Sequence, residues 1–200
     1  MSGPIIIRDL YKKYADNYAL NGLNLTIDTG QIYGILGPNG SGKTTLLRVI
    51  CSLLEMTSGY VRLGDLNPMM DGEKIKSIVG YVPETPALYE SLTPLEYFSF
   101  ICSVRGIGRD VMERRVRNLS EAFGITDKID DFIGSLSFGT KQKVAIISAR
   151  CQLLSSAHSV HNCLHIFCTD PLLLWGRTWQ FISRTVNILL PSQRLRQTQK

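Results

Sequence analysis

No stretch of 18 consecutive apolar residues occurs in this 200-residue chain, and no basic start followed by an apolar run opens it. The first absence excludes a membrane-spanning helix and the second a secretory leader. The expectation is a soluble, cytoplasmic chain that reaches a membrane only through a partner. Cysteine is scarce: five residues at irregular spacing, which predicts reduced thiols rather than a disulfide framework. There is no internal repeat and no low-complexity linker, and the length suffices for one domain with a real core. Histidine and tryptophan are absent before residue 151, and a single acidic residue, Asp170, follows residue 150 against five basic ones. The first 150 residues hold 16 acidic and 17 basic side chains, so the formal net charge of +5 belongs mostly to the last segment. It is therefore no nucleic-acid signal for the folded part, and no nucleic-acid partner is expected.

What is present is concentrated in Gly37-Pro38-Asn39-Gly40-Ser41-Gly42-Lys43-Thr44, which fits the P-loop pattern G-x-x-x-x-G-K-[ST] at every fixed position. The apolar run Gln31–Leu36 before it predicts a buried strand, and Thr44 to Ile50 after it predicts the first turns of a helix. A strand-loop-helix context gives the motif its chemistry. Glycines let backbone N–H groups approach phosphate oxygens, and the helix start adds partial positive charge. Lys43 carries a full charge for the β- and γ-phosphates, and the Thr44 hydroxyl suits Mg²⁺. Residues 37 to 45, ending in Thr45, are the expected site for ATP with Mg²⁺. The bland alternative is a glycine-rich turn with a chance lysine.

Three further features bear on which kind of P-loop protein this is. Tyr14 sits on the polar segment Lys12-Lys13-Tyr14-Ala15-Asp16, ahead of Ala19–Leu25. An aromatic face there can stack on a base, or be an exposed edge-strand residue. Ile78-Val79-Gly80-Tyr81-Val82-Pro83-Glu84 predicts a strand running into a proline-marked loop, with Glu84 an oxygen ligand for Mg²⁺ or an ordinary solvated glutamate. Leu136-Ser137-Phe138-Gly139-Thr140-Lys141-Gln142-Lys143 opens on a serine suited to cap a helix, 53 residues after Glu84.

In this order and spacing, residues 1–150 resemble most of an ABC transporter nucleotide-binding domain of exporter type. The last motif is similar to the family's signature LSGGQ-x-Q-[RK], with Phe138 replacing a glycine and Thr140 the glutamine. The resemblance implies an α/β P-loop fold with a small antiparallel β subdomain and a helical subdomain over about 85–137. It implies that Tyr14 stacks on adenine, that Lys43 and Glu84 serve catalysis, and that Thr44 and Glu84 hold Mg²⁺. Ser137, Phe138 and Gly139 would face the γ-phosphate held by a second nucleotide-binding subunit, and the helical subdomain would face a transmembrane permease subunit. Within it, Pro94–Ile101 after a Thr93 cap predicts a packed helix. Asp110–Phe123, with Val111, Val116, Leu119 and Phe123 at helical spacing, predicts an amphipathic one whose Arg114, Arg115 and Arg117 form a solvated face.

Beyond residue 150 the resemblance lapses. The family implies a buried strand ending in Asp-Glu (the Walker B carboxylates) and later a switch histidine. Neither is recognisable, and Leu164–Pro171 supplies one acid, Asp170, without a following glutamate. The expectation is an ABC-type domain incomplete at its C-terminal end, followed by an anomalous segment over 151–200. Cys151, His158, His161, Cys163, His165 and Cys168 are metal-capable in type, but their spacing matches no zinc pattern. Residues 179–190 predict an amphipathic helix or a sticky tail. The chain is expected to bind ATP and hydrolyse it poorly or not at all. The alternatives are a non-hydrolysing nucleotide-binding regulatory protein, and a non-functional product whose central sheet has an open edge.

Overall fold

The computed structural model describes residues 3–153 together with the backbone of two short strands at 165–168 and 186–189. The chain divides into two compact units, Met1–Lys76 with Ser156–Lys200, and Ser77–Ser155.

The first unit carries two sheets. Strand β1 (Ile5–Tyr14) pairs antiparallel with β2 (Asn17–Ile27) and, on its other edge, with β4 (Ser58–Leu63). Alternation buries Ile5 and Ile7, and a bulge between Ile7 and Leu10 lets Leu10 rejoin the buried face where simple alternation would have placed Asp9. Leu20, Leu25, Ile27, Val61 and Leu63 complete this apolar layer. Each such side chain contributes about 2 kcal/mol of transfer free energy.

The second sheet is parallel. Strand β3 (Ile32–Ile35) lies between β5 (His165–Cys168) and β6 (Val186–Leu189). Three expectations are corrected here. The strand at 32–35 forms, but Tyr33, Gly34 and Ile35 are half-buried rather than buried. Parallel strands are fully covered only by helices on both faces. Among its described residues this unit offers only α1 (Lys43–Ile50) and most of α2 (Gly72–Ile78). Both edges of β3 are paired, so the expected open edge is not there. Residues 186–189 form a strand rather than part of a helix, since β-branched Val186 and Ile188 suit an extended neighbour of β3.

The second unit is helical: α3 (Pro94–Val104), α4 (Arg109–Phe123), two single 3₁₀ turns, and α5 (Phe138–Cys151). Thr93 begins α3 with a full capping box. Its hydroxyl accepts from Glu96 N at 3.2 Å, while Glu96 Oε2 accepts from Thr93 N at 2.9 Å. Phe98, Cys102, Val116, Ile133, Val144, Ile147 and Cys151 form the core between these helices. On α4 the buried stripe is Met112, Val116 and Ser120, with the expected Val111, Leu119 and Phe123 on its half-buried flanks.

Arg115 departs from the expected solvated face. Its guanidinium donates to the carbonyls of Cys151 and Leu153, both at 2.7 Å, satisfying acceptors at the end of α5. The strand expected over 78–82 is absent. Ile78 ends α2, and residues 79–83 have no regular structure, because a strand needs a hydrogen-bonding neighbour and the described residues of this unit contain none.

Candidate functional site

The loop at residues 37–42 is shaped by two left-handed glycines, Gly40 (φ 81°) and Gly42 (φ 87°), and by a turn in which Ser41 N donates to Pro38 O at 3.2 Å. Gly42 could be nothing else: a Cβ there would lie 2.3 Å from the Ala19 carbonyl oxygen and 3.0 Å from Leu20 Cδ2. That close approach fastens the loop to β2, beside the hairpin that carries Tyr14. Helix α1 then begins with Gly42 as its cap, no side-chain oxygen over its first amides, and no acidic residue in its first turn. Such an end presents N–H donors and partial positive charge to an anion. The Lys43 ammonium donates to the carbonyls of Gly37 (2.6 Å) and Pro38 (3.0 Å), so the charge is held over the loop. Thr44 and Thr45 are half-buried in the same turn.

Tyr14 ends β1 and is 47% exposed, directly before the two-residue turn at Ala15 and Asp16. The ammonium of Lys12 lies 5.1 Å from the centre of its ring, a cation–π contact on that ring. Sequence alone passed over its neighbour Tyr18, 54% exposed, which meets Lys13 at 5.6 Å and packs edge-on to Tyr11. The repeated Lys–Tyr pairing around the turn was the available signal. The strand end is pinned from β4's side by Lys13 N donating to Thr57 Oγ1 (2.9 Å) and Thr57 N to Tyr11 O (2.9 Å).

Glu84 and the 137–139 turn both lie in the helical unit. Glu84 is exposed, and no described residue pairs with its carboxylate, while its backbone carbonyl accepts from Gln142 Nε2 at 2.5 Å. Ser137 caps α5, its hydroxyl accepting from Thr140 N at 3.3 Å and lying 2.9 Å from Thr140 Oγ1. Phe138 is exposed, and a Cβ at Gly139 would meet nothing within 4 Å. The sequence thus located the cap but gave no hint that Gln142 would reach back to the loop at residue 84.

Of the six metal-capable side chains near the C-terminal end, Cys151 alone has a described side chain. It is fully buried and its thiol is pushed up to about 12, first by burial and then by neighbouring Cys102. His158, His161 and Cys163 lie outside the described residues, as do Asp170 and the side chains of His165 and Cys168. Among the described residues no cluster of three metal-capable groups occurs, and no helix is long and apolar enough to cross a membrane.

A family model described as "ABC transporter" matches residues 20–154. The chain belongs to the ABC transporter family. It is 34% identical over 143 residues to the ABC-type transporter ATP-binding protein EcsA of Bacillus subtilis, a match covering 72% of this chain and 58% of EcsA. Among solved structures, an ATP-binding subunit of an ABC transporter superposes with a TM-score of 0.72 over 92% of this chain and 85% of that one, at 24% identity. The cbiO1 protein of Clostridium perfringens, part of the ABC transporter complex cbiONQ, gives a TM-score of 0.64 at 30% identity over 74% of this chain and 61% of cbiO1. The fold is therefore that of an ABC-type P-loop domain, with its small antiparallel β subdomain and its helical subdomain. The chain spans less than two thirds of the length of the curated relatives it matches first.

Proposed function

We propose that this chain is an exporter-type ATP-binding subunit that holds ATP with Mg²⁺ on the loop at residues 37–45. It would work with a transmembrane permease subunit and a second nucleotide-binding subunit, and lie in the cytoplasm, peripheral to the membrane through that partner. One observation carries the reading: α1 starts uncapped, behind a loop whose Gly42 admits no side chain and whose lysine is already turned over it. A triphosphate fits that donor set, because charge-assisted hydrogen bonds to backbone N–H groups and an ammonium are the strong kind. Lys43 would exchange the Gly37 and Pro38 carbonyls for β- and γ-phosphate oxygens. The Thr44 hydroxyl and the unpaired Glu84 carboxylate would hold the metal, which when bound offsets phosphate charge. Tyr14 would stack on the adenine by the ring face that Lys12 leaves open.

In a pair of subunits, Ser137, Phe138 and Gly139 at the start of α5 would meet the opposite nucleotide. Catalysis of this type is positioning plus charge stabilisation, and the sequence offers no Asp-Glu pair after an apolar strand to orient water. The family match, which stops at residue 154, supports the same reading. The paired edges of β3 weigh against a product whose sheet stays open. The test is calorimetric titration of the purified chain with MgATP, alongside phosphate release. Binding is expected for the wild type and a loss of about 10- to 100-fold for Lys43→Ala, the size of one charge-assisted hydrogen bond. No release above background is expected. Mg²⁺-dependent release abolished by Lys43→Ala would refute the hydrolysis half, and absence of binding the whole.

A further inference from the structure

Between α2 and α3 the chain runs along α5 and is attached to it at three places. Near the start, Gly80 abuts the far end of α5, where a Cβ would lie 2.9 Å from Ala149 O and 3.2 Å from Ala149 Cβ. In the middle, Gln142 Nε2 donates to Glu84 O at 2.5 Å. At the end, Lys141 Nζ meets Glu90 Oε1 at 2.7 Å, while Glu90 O accepts from Gly134 N at 2.9 Å just ahead of α5. The order along the chain, 80, 84, 90, runs opposite to the order along the helix, 149, 142, 141. Gln142 and Ala149 are seven residues apart and so share one face of α5.

The chemistry of the middle attachment is selective. Gln142 grips the main chain at Glu84 and leaves the Glu84 carboxylate without a described partner, so the backbone is fixed while the charged group remains available to a ligand. The same helix presents Ser137 and Gly139 at its first turn, five and three residues before Gln142.

We propose that Gln142, supported by Lys141, is a positioning residue that makes the loop carrying Glu84 and the first turn of α5 shift together. This rests on the reading that Glu84 serves a bound nucleotide. A change in loop position when Mg²⁺-nucleotide meets Glu84 is then delivered through Gln142 to the turn that faces the opposite nucleotide. The tie also works in reverse, because coupling between two sites is reciprocal.

The test is hydrogen exchange on the full chain, with and without saturating MgATP, for the wild type, Gln142→Met and Gln142→Lys. Methionine keeps the length and removes the donor; lysine restores a donor. Without nucleotide, amides at residues 85–88 are expected to exchange about 2- to 10-fold faster in Gln142→Met, the effect of one lost hydrogen bond, and to recover in Gln142→Lys. With MgATP, the wild type is expected to gain protection both at 85–88 and at 140–144. Gln142→Met is expected to gain it only at 85–88, at an unchanged thermal midpoint. Equal protection at 140–144 in Gln142→Met overturns the proposal, as does unchanged nucleotide-free exchange. If calorimetry finds no MgATP binding by the wild type, the nucleotide reading fails first and the coupling with it. The nucleotide-free comparison then shows separately whether the tie itself exists.

Discussion

Helices α1 and α3 begin in opposite ways. At α3 every device of a finished helix start is in place: Thr93 accepts from Glu96 N, Glu96 answers to Thr93 N, and Pro94 occupies the first turn, where its missing N–H costs nothing. At α1 the cap is a left-handed glycine, and no side chain reaches the first amides. The contrast separates a helix start that stabilises the fold from one kept open for an anion. Helix α5 stands between them, capped by Ser137 through a long 3.3 Å contact and without an acidic residue in its first turn.

Substitutions at the two starts should therefore fail differently. Gly42→Ala is expected to be the most damaging, because a Cβ 2.3 Å from Ala19 O must displace backbone, and the residue sits at φ 87°. The left-handed conformation alone costs about 1–3 kcal/mol. Thermal unfolding should shift downward and MgATP binding should vanish; a variant that retains both would erase the distinction between the two starts. Thr93→Ala is expected to cost about 1 kcal/mol of stability, the usual worth of a helix cap. It should leave ATP affinity unaltered by titration. If affinity falls with it, the α3 start is not merely structural.

The smallest expected effect uses the thiols that each unit buries. Cys51 beside α1 and Cys151 at the end of α5 are both pushed by burial from 9.0 up to about 12. In the unfolded chain these groups ionise near the ordinary value, so unfolding sheds protons that folding retains. The stability they contribute is complete below about pH 9 and is lost as pH rises towards 12. Melting curves should be level up to about pH 8.5 and then decline. Cys51→Ala and Cys151→Ala should each flatten part of that decline, which assigns it to one unit or the other.

The parts of the molecule legible in sequence are those fixed by local chemistry. The P-loop, the Thr93 and Ser137 caps and the amphipathic α4 follow from neighbours within a few residues, and all three helices formed where their signals lay. Long-range pairing was not legible. Residues 78–82 carry strand-forming side chains yet have no strand partner in their unit, while Val186–Leu189, set in a run that suggested a helix, found β3. Arg115 looked like one of three solvent-facing arginines, since nothing in its local sequence reveals two acceptor carbonyls 36 and 38 residues away. Gln142 was hidden for the same reason: its partner is a main-chain atom, which carries no residue identity to read.

Arg115 has a consequence for how such a chain can vary. By holding the carbonyls of Cys151 and Leu153 from α4, it completes the end of α5 with material already synthesised upstream. Whatever sequence is joined after residue 153 need supply no acceptor or donor to finish that helix. The position is a natural splice joint, at which one C-terminal continuation can be exchanged for another without disturbing the helical unit before it.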